Sequence, residues 1–242
     1  MIKIDFHVHS KLSNDGRESL EQIAGAAKAA GLDAVCICDH NDYALDKIVE
    51  IGGVALLPGC EISSADAHVL AMLCDVPVDV RALLQKGLPE TEQLISEIHK
   101  CGGIAVIAHP FGHTQKSSWD GSGLKPDAVE RYNARAWMKC ADADRLAAEY
   151  AQSVNAACIA GSDAHFAGEI GNAYTLVDCN GISEIKDAVL AHRTESVLVR
   201  NTKRIYKGKS QLLRGKREGG LKRRFLSICV FAKCLMLDLL GK

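Results

Sequence analysis

Short apolar runs alternate with longer amphipathic stretches along most of the chain. The runs are Ile2 to Phe6, Ala34 to Cys38, Val54 to Leu57, His68 to Leu73, Ile104 to Ala108, Ala128 to Tyr132, Ala156 to Ala160 and Tyr174 to Val177, and they predict strands. Between them, Ser19 to Ala30, Tyr43 to Ile51, Glu90 to Cys101, Ala141 to Val154 and Ser183 to His192 predict helices. Gly31, Gly52 and Gly102 follow the first three of these as stop signals. About seven β/α units with no linker before residue 200 favour a closed or nearly closed parallel α/β barrel over an open sheet. One domain over residues 1–200 and a tail over 201–242 is the expected organisation.

Composition narrows the class. With 242 residues, 48% of them hydrophobic and 24% charged, the chain is long enough to bury a core without disulfides or a structural metal. Its ten cysteines are scattered, none in a C-x-x-C pair, and MIKIDFHVHS lacks the basic and apolar regions of a secretory leader. A reducing, cytoplasmic setting is the expectation.

The formal net charge of −1 hides an asymmetry. Residues 1–199 carry 16 Lys and Arg against 28 Asp and Glu, whereas residues 200–242 carry 13 against 2. An acidic body argues against nucleic acid as a general partner, except as substrate, and suits the holding of cations. The basic stretch RIYKGKSQLLRGKREGGLKRR leads into FLSICVFAKCLMLDLL, which is too short to span a bilayer easily and is interrupted by Lys233 and Asp238. Two readings stand: a helix packed on the body or on a second copy, and a peripheral anchor on an anionic membrane.

The chemistry gathers at strand ends. After the first strand comes Asp5-Phe6-His7-Val8-His9, and alternation along an extended segment points both imidazoles to one side. Further on lie Asp39-His40, Glu61, His68, His109 and the run Gly161-Ser162-Asp163-Ala164-His165, so six of the nine histidines sit at or beside strand ends. A lone H-x-H is weak, and a strand-end histidine is often only a cap. Convergence of several segments on one barrel mouth is what gives the set weight. His7, His9, Asp15, His40, Glu61, His68, His109, Asp163 and His165 are the candidate ligands, enough for two or three divalent cations. Imidazole and carboxylate together suit zinc, manganese or iron better than calcium, with magnesium also admitted. His99 and His192 read as surface residues, and His113, after His109-Pro110-Phe111-Gly112, as a catalytic or substrate-facing candidate.

The segments DFHVHS, SNDG, CICDHN, PGCEIS, AHVLAML, AHP and GSDAH, spread over about residues 1–180, resemble the PHP (polymerase and histidinol phosphatase) family. The resemblance implies a distorted (β/α)7, TIM-like barrel with a two- or three-metal centre at its mouth. It implies that His7, His9, Glu61 and Asp163 hold one ion, that Glu61 bridges to a second held by His68 and His109, and that Asp15, His40 and His165 hold a third. Asp15 stands where some relatives have histidine, and Asp5 orients the H-x-H pair from behind.

Clustered cations acidify a bound water and clamp phosphate oxygens, so hydrolysis of a phosphate ester by a metal-bridging hydroxide is the expected chemistry. No G-x-S-x-G elbow occurs, and no cysteine sits in a nucleophile setting. Glu61 and Asp163 are the central catalytic candidates. Relatives carry an Asn-x-Arg pattern like that of ERYNARAW, which makes Asn133 and Arg135 substrate candidates; Lys11 and Arg17 flank Asp15 on the first mouth loop. Arg135 offers phosphate a bidentate fork, and is also counted among the catalytic candidates. Glycines at 112, 121 and 123 suit a mobile lid over residues 110–125. A phosphatase of a small molecule such as a nucleotide leads the functions considered, ahead of a single-strand nuclease and a non-catalytic binding module.

Overall fold

The computed structural model describes residues 1–112, 121–138 and 140–241, so His113 and half of the 110–125 loop lie outside the described residues. Its strands are β1 (Ile2–Val8), β2 (Ala34–His40), β3 (Val49–Ile51), β4 (Val54–Ser63), β5 (His68–Met72), β6 (Ile104–Ala108), β7 (Ala128–Asn133), β8 (Ala157–Gly161), β9 (Ala173–Val177) and β10 (Thr194–Leu198). They form one sheet in the order β10-β9-β1-β2-β4-β5-β6-β7-β8, with β3 hanging on β4. All eight apolar runs are strands.

The sheet curls until its ends meet. There Thr175 Oγ1 accepts from the Ala160 amide (2.8 Å) and Thr194 Oγ1 donates to the Cys158 carbonyl (2.9 Å), so side-chain hydroxyls replace the missing backbone ladder. The expected distorted barrel is present, and part of its distortion is that the strands are not all parallel. β1, β2 and β4 run parallel, as do β6, β7 and β8, but β5 is antiparallel to both its neighbours and β9 is antiparallel to β1. That reversal explains why His68, the first residue of β5, reaches the same mouth as residues that end the parallel strands.

Alternation along the strands builds the interior in layers. Inward positions of β2 read Ala34, Cys36, Cys38 and then His40; those of β4 read Ala55, Leu57, Gly59 and then Glu61. On β5 they read Met72, Leu70 and then His68. Apolar side chains thus plug the lower barrel and polar ligands crown it. The helices α1 (Leu20–Ala29), α2 (Val80–Leu84), α3 (Thr91–Lys100), α4 (Ala143–Ser153) and α5 (Ile185–Leu190) lie outside the sheet. Ile23, Ala24 and Ala27 of α1 pack on the outward Val35 and Ile37, and a capping box between Ser19 and Gln22 fixes where α1 begins.

Tyr43 to Ile51 is not a helix. Gly52 (φ 63°) and Gly53 (φ 85°) both take the left-handed conformation, which makes a two-residue hairpin turn pairing Ile51 with Val54. A glycine read as a helix stop is here the first half of a strand turn.

The tail is a helical hairpin, α6 (Arg204–Glu218) and α7 (Leu221–Leu239), broken at Gly219-Gly220. The helices pack closely because Gly208 and Gly215 lack side chains: a Cβ on Gly208 would stand 2.9 Å from Phe231 Cα. Asp238 on α7 caps α6 by accepting from the Arg204 and Ile205 amides at 3.0 and 2.7 Å. α6 lies across the barrel mouth. No helix among the described residues is long and apolar enough to cross a membrane.

Candidate metal centre

The H-x-H pair is placed by an irregularity in β1. Its pairing with β2 slips between Asp5 and Val8, a bulge that re-aims side chains at the strand's end, and a second slip in β7 lies between Glu130 and Tyr132. Val8 then bridges Ala164, and His9 N–H donates to the Ala164 carbonyl at 2.8 Å, which ties the first ligand segment to the last. Gly161 permits this approach, since a Cβ there would stand 2.4 Å from His7 Cβ. Asp5 accepts from the amides of His7 (3.3 Å), Ser162 (2.8 Å) and Gly171 (3.0 Å), and so braces the backbone behind the pair; burial pushes its carboxyl up to about 6.

All nine candidate ligands meet at the mouth. His7 Nε2 and His9 Nε2 are 3.1 Å apart, and Asp163 Oδ1 is 3.3 Å from His9 Nε2. Glu61 is central: its Oε1 lies 2.7 Å from His68 Nδ1 and 2.9 Å from His109 Nε2, while its Oε2 lies 2.8 Å from His40 Nδ1. Asp15 Oδ1 is 3.6 Å from His40 Nε2 and 3.4 Å from His165 Nε2. Three groups have ligand atoms within 4.8 Å of one another: His7, His9 and Asp163; His7, Glu61 and His109; His9, His40 and His165. His109 (φ 30°) and Asp163 (φ 54°) hold strained left-handed backbone, as residues at functional sites often do.

The donor set fits cations. His7 Nδ1 faces Glu130 Oε1 at 3.0 Å, which turns Nε2 into a bare lone pair once Nδ1 carries the proton. Ser13 Oγ donates to Asp39 (2.5 Å) and accepts from the His40 amide, leaving it to accept from His9 Nδ1 at 3.2 Å. The second Nε2 is then bare as well. Two imidazole lone pairs aimed at each other require a positive charge between them, either a proton or a metal ion. Glu61 Oε2 and Asp15 Oδ1 are buried without a hydrogen bond among the described residues, although imidazole nitrogens surround both.

Titration follows that arrangement. Burial works against charge on His7, but Glu130, Glu61 and Asp163 outweigh it and raise its pKa well above the usual range. Burial, together with His165 and His40, pushes His9 well below. Burial would likewise lift Glu61 and Asp163, yet the encircling imidazoles hold both carboxyls well below their usual range.

The sequence-based substrate candidates fare differently. Arg135 is buried with its fork closed on Glu169, Nε to Oε1 at 2.7 Å and Nη2 to Oε2 at 2.8 Å, and Glu169 in turn accepts from the His165 and Phe166 amides. The arginine therefore braces the His165 loop, although it also lines the cavity. Asn133 Nδ2 donates to Glu130 (3.0 Å) and Asp163 (3.4 Å), which makes it a strut between ligands. Lys11 and Arg17 are exposed and do not line the cavity.

Glu130 and Asp39 take roles that the sequence does not assign them. Glu130 touches His7 through Oε1 and accepts from the His109 amide (2.7 Å) through Oε2; its signal is a carboxylate inside the strand run Ala128 to Tyr132. Asp39 accepts from the amides and hydroxyls of Ser10 and Ser13, fixing the first mouth loop.

Comparison with known proteins agrees with this geometry. A family model described as PHP-associated matches residues 142–194, which include Asp163 and His165. An uncharacterized protein of Methanocaldococcus jannaschii is 30% identical over 150 residues, 55% of this chain and 82% of its own length. The fold is shared with a two-domain protein of Bacteroides vulgatus containing a predicted PHP-like metal-dependent phosphoesterase, at TM-score 0.61 and 20% identity over 81% of this chain and 64% of that one. It is also shared with a lesion-specific endonuclease of Pyrococcus furiosus, at TM-score 0.57 and 20% identity over 78% of this chain and 56% of that one. This chain thus spans less than two thirds of either solved protein. The motifs, the curled sheet and the ligand crown together place it: the chain belongs to the PHP family.

Proposed function

We propose that this PHP-family chain is a metal-dependent hydrolase of phosphate esters, and that its substrate is a small phosphomonoester such as a nucleotide. The carrying observation is the convergence of nine imidazole and carboxylate side chains, with His7 Nε2 and His9 Nε2 3.1 Å apart at its centre. Divalent cations there would lower the pKa of a coordinated water and neutralise phosphate oxygens. His7, His9, Glu61 and Asp163 would hold one, Glu61 with His68 and His109 a second, and Asp15, His40 and His165 a third.

The chain's own residues set up the chemistry around them. Glu130 and Ser13 fix the tautomers of His7 and His9, and Asn133 orients Asp163. A cysteine nucleophile has no support, because burial pushes the Cys38 and Cys60 thiols well above their ordinary range and keeps them protonated. The cavity over the centre measures about 420 Å³, the scale of a small molecule, and α6 crosses its opening. That cover weighs against an extended polynucleotide.

The test is phosphate release from p-nitrophenyl phosphate, nucleotides and a short single-stranded RNA in parallel, with manganese, zinc and magnesium added separately. Monoesters are expected to turn over fastest. Preference for the RNA over every monoester would establish the nuclease reading instead.

A second reading concerns location. Nine large apolar residues of the α7 segment are exposed, among them Leu221, Phe225, Ile228, Met236 and Leu239, beside the basic run Lys222-Arg223-Arg224. That pairing supports peripheral contact with an anionic membrane. Full-length protein is expected to pellet with vesicles rich in phosphatidylserine and not with neutral ones; failure to pellet, or an equal response to both, removes this reading.

A further inference from the structure

The cavity has two unlike walls. The barrel side is the acidic ligand crown. The facing side is α6, which turns Lys207, Ser210, Gln211 and Arg214 toward the cavity at spacings of three, four and seven residues, one face of a helix. α6 is pinned there. Arg217 Nη1 donates to the carbonyls of Ser13 (2.7 Å) and Gly16 (3.0 Å), Ser210 Oγ accepts from Arg135 Nη2 (3.2 Å), and the Trp137 indole donates to the Thr202 carbonyl (3.1 Å) just before the helix. Asn14 also pairs with Glu218.

Among the cations lining the cavity, Arg135 is committed to Glu169. Lys207 is half-buried and makes no hydrogen bond or ion pair among the described residues. Arg214 gives Nε to Glu218 at 3.2 Å and keeps the rest of its guanidinium available. A helix rise of about 1.5 Å per residue sets the backbones of Lys207 and Arg214 about 10 Å apart. One phosphate on the ligand crown does not occupy a wall of that length.

We infer that α6 forms a second anion subsite, in which Lys207 and Arg214 hold a carboxylate or second phosphate on the far side of a small substrate from the scissile phosphate. This rests on the phosphoesterase reading and deepens it: the preferred substrates are small molecules that carry two separate anionic groups. An ammonium and a guanidinium facing the cavity give charge-assisted bonds that an ester with one anionic group leaves unmade.

The experiment uses a matched pair, phenyl phosphate and 4-carboxyphenyl phosphate, with metal-loaded full-length protein. The non-hydrolysable phosphonates of the same two molecules are titrated calorimetrically alongside. The carboxylated member is expected to gain about tenfold or more in kcat/KM and in affinity. In the double variant Lys207→Ala, Arg214→Ala that preference collapses to about unity while metal content per chain stays unchanged, and the separate single variant Lys207→Arg keeps most of it. Equal handling of the two molecules by the wild type overturns the subsite, as does an unchanged preference in the double variant. If neither ester is hydrolysed but the phosphonates still differ, the subsite stands and the phosphoesterase reading falls; if both are hydrolysed equally, the reverse holds. Metal analysis and circular dichroism identify a variant that has lost its fold, and Lys207→Met and Arg214→Met then replace the alanines.

Discussion

The barrel mouth and the hairpin that covers it are built on opposite physical plans. In the mouth, the ligands are acidic or imidazole groups, mostly buried, and many have a second group fixing their orientation: Glu130 for His7, Ser13 for His9, Asn133 for Asp163. The hairpin is basic and largely exposed, held by a few side-chain bonds to loop carbonyls and by glycine-mediated helix packing. The contrast separates two tasks. A fixed constellation suits chemistry, which tolerates little misplacement, whereas an adjustable cover suits selection of what enters.

The largest expected effect comes from the centre itself. Glu61→Gln keeps the shape of the side chain but removes the negative charge that faces His7, His9, His40, His68 and His109, and bound metal and turnover are expected to fall to background by metal analysis and phosphate release. Next is Glu169→Gln. It leaves the buried Arg135 guanidinium without its carboxylate, and breaking a buried pair from one side costs about 3–5 kcal/mol, read as a lowered midpoint in urea. Glu130→Gln acts only through its neighbours and is expected to lower metal affinity about 10- to 100-fold.

A smaller effect is pH dependence. Burial opposes charge on His40, but Glu61, Asp15 and Asp163 raise its pKa from 6.5 to about 9. In metal-free protein this raised value stabilises the fold fully below pH 6.5, and the contribution disappears as pH rises through about 9. A cation that takes the place of that proton binds more tightly as pH rises across the same window, by up to about tenfold per unit, with a proton released on binding. Calorimetry in buffers of different ionisation enthalpy measures that proton. The smallest effect on chemistry is expected on α7. Replacing Lys222 and Arg224 by Glu abolishes pelleting with anionic vesicles and leaves phosphate release within about twofold, because substitutions on an exposed face away from the cavity cost little.

The sequence carried much of the barrel and less of the hairpin, for physical reasons. Apolar runs betray strands whatever their direction, so all eight runs were legible while the reversal of β5 was not. His68 looked like the start of a strand and belongs at the mouth because that strand runs backwards. The convergence of these side chains could be read because imidazoles and carboxylates recur at the strand ends that meet at one mouth. The brace that Arg135 makes could not be read, because its partner Glu169 lies 34 residues away and only the fold brings them together. Gly52-Gly53 misled for a local reason: a positive φ ends a helix and turns a hairpin equally well. The place of α6 across the cavity depends on contacts from Arg217 to residues 13 and 16, which no spacing in the tail announces.

The most direct test is metal content per chain of the full-length protein, purified without chelators and reconstituted with manganese or zinc, in wild type and in the His7→Ala, His9→Ala variant. About two to three divalent cations per folded wild-type chain, and a loss of at least one in the variant, are expected. A folded wild-type chain that takes up none, or a variant that binds as many as the wild type, would contradict the metal centre.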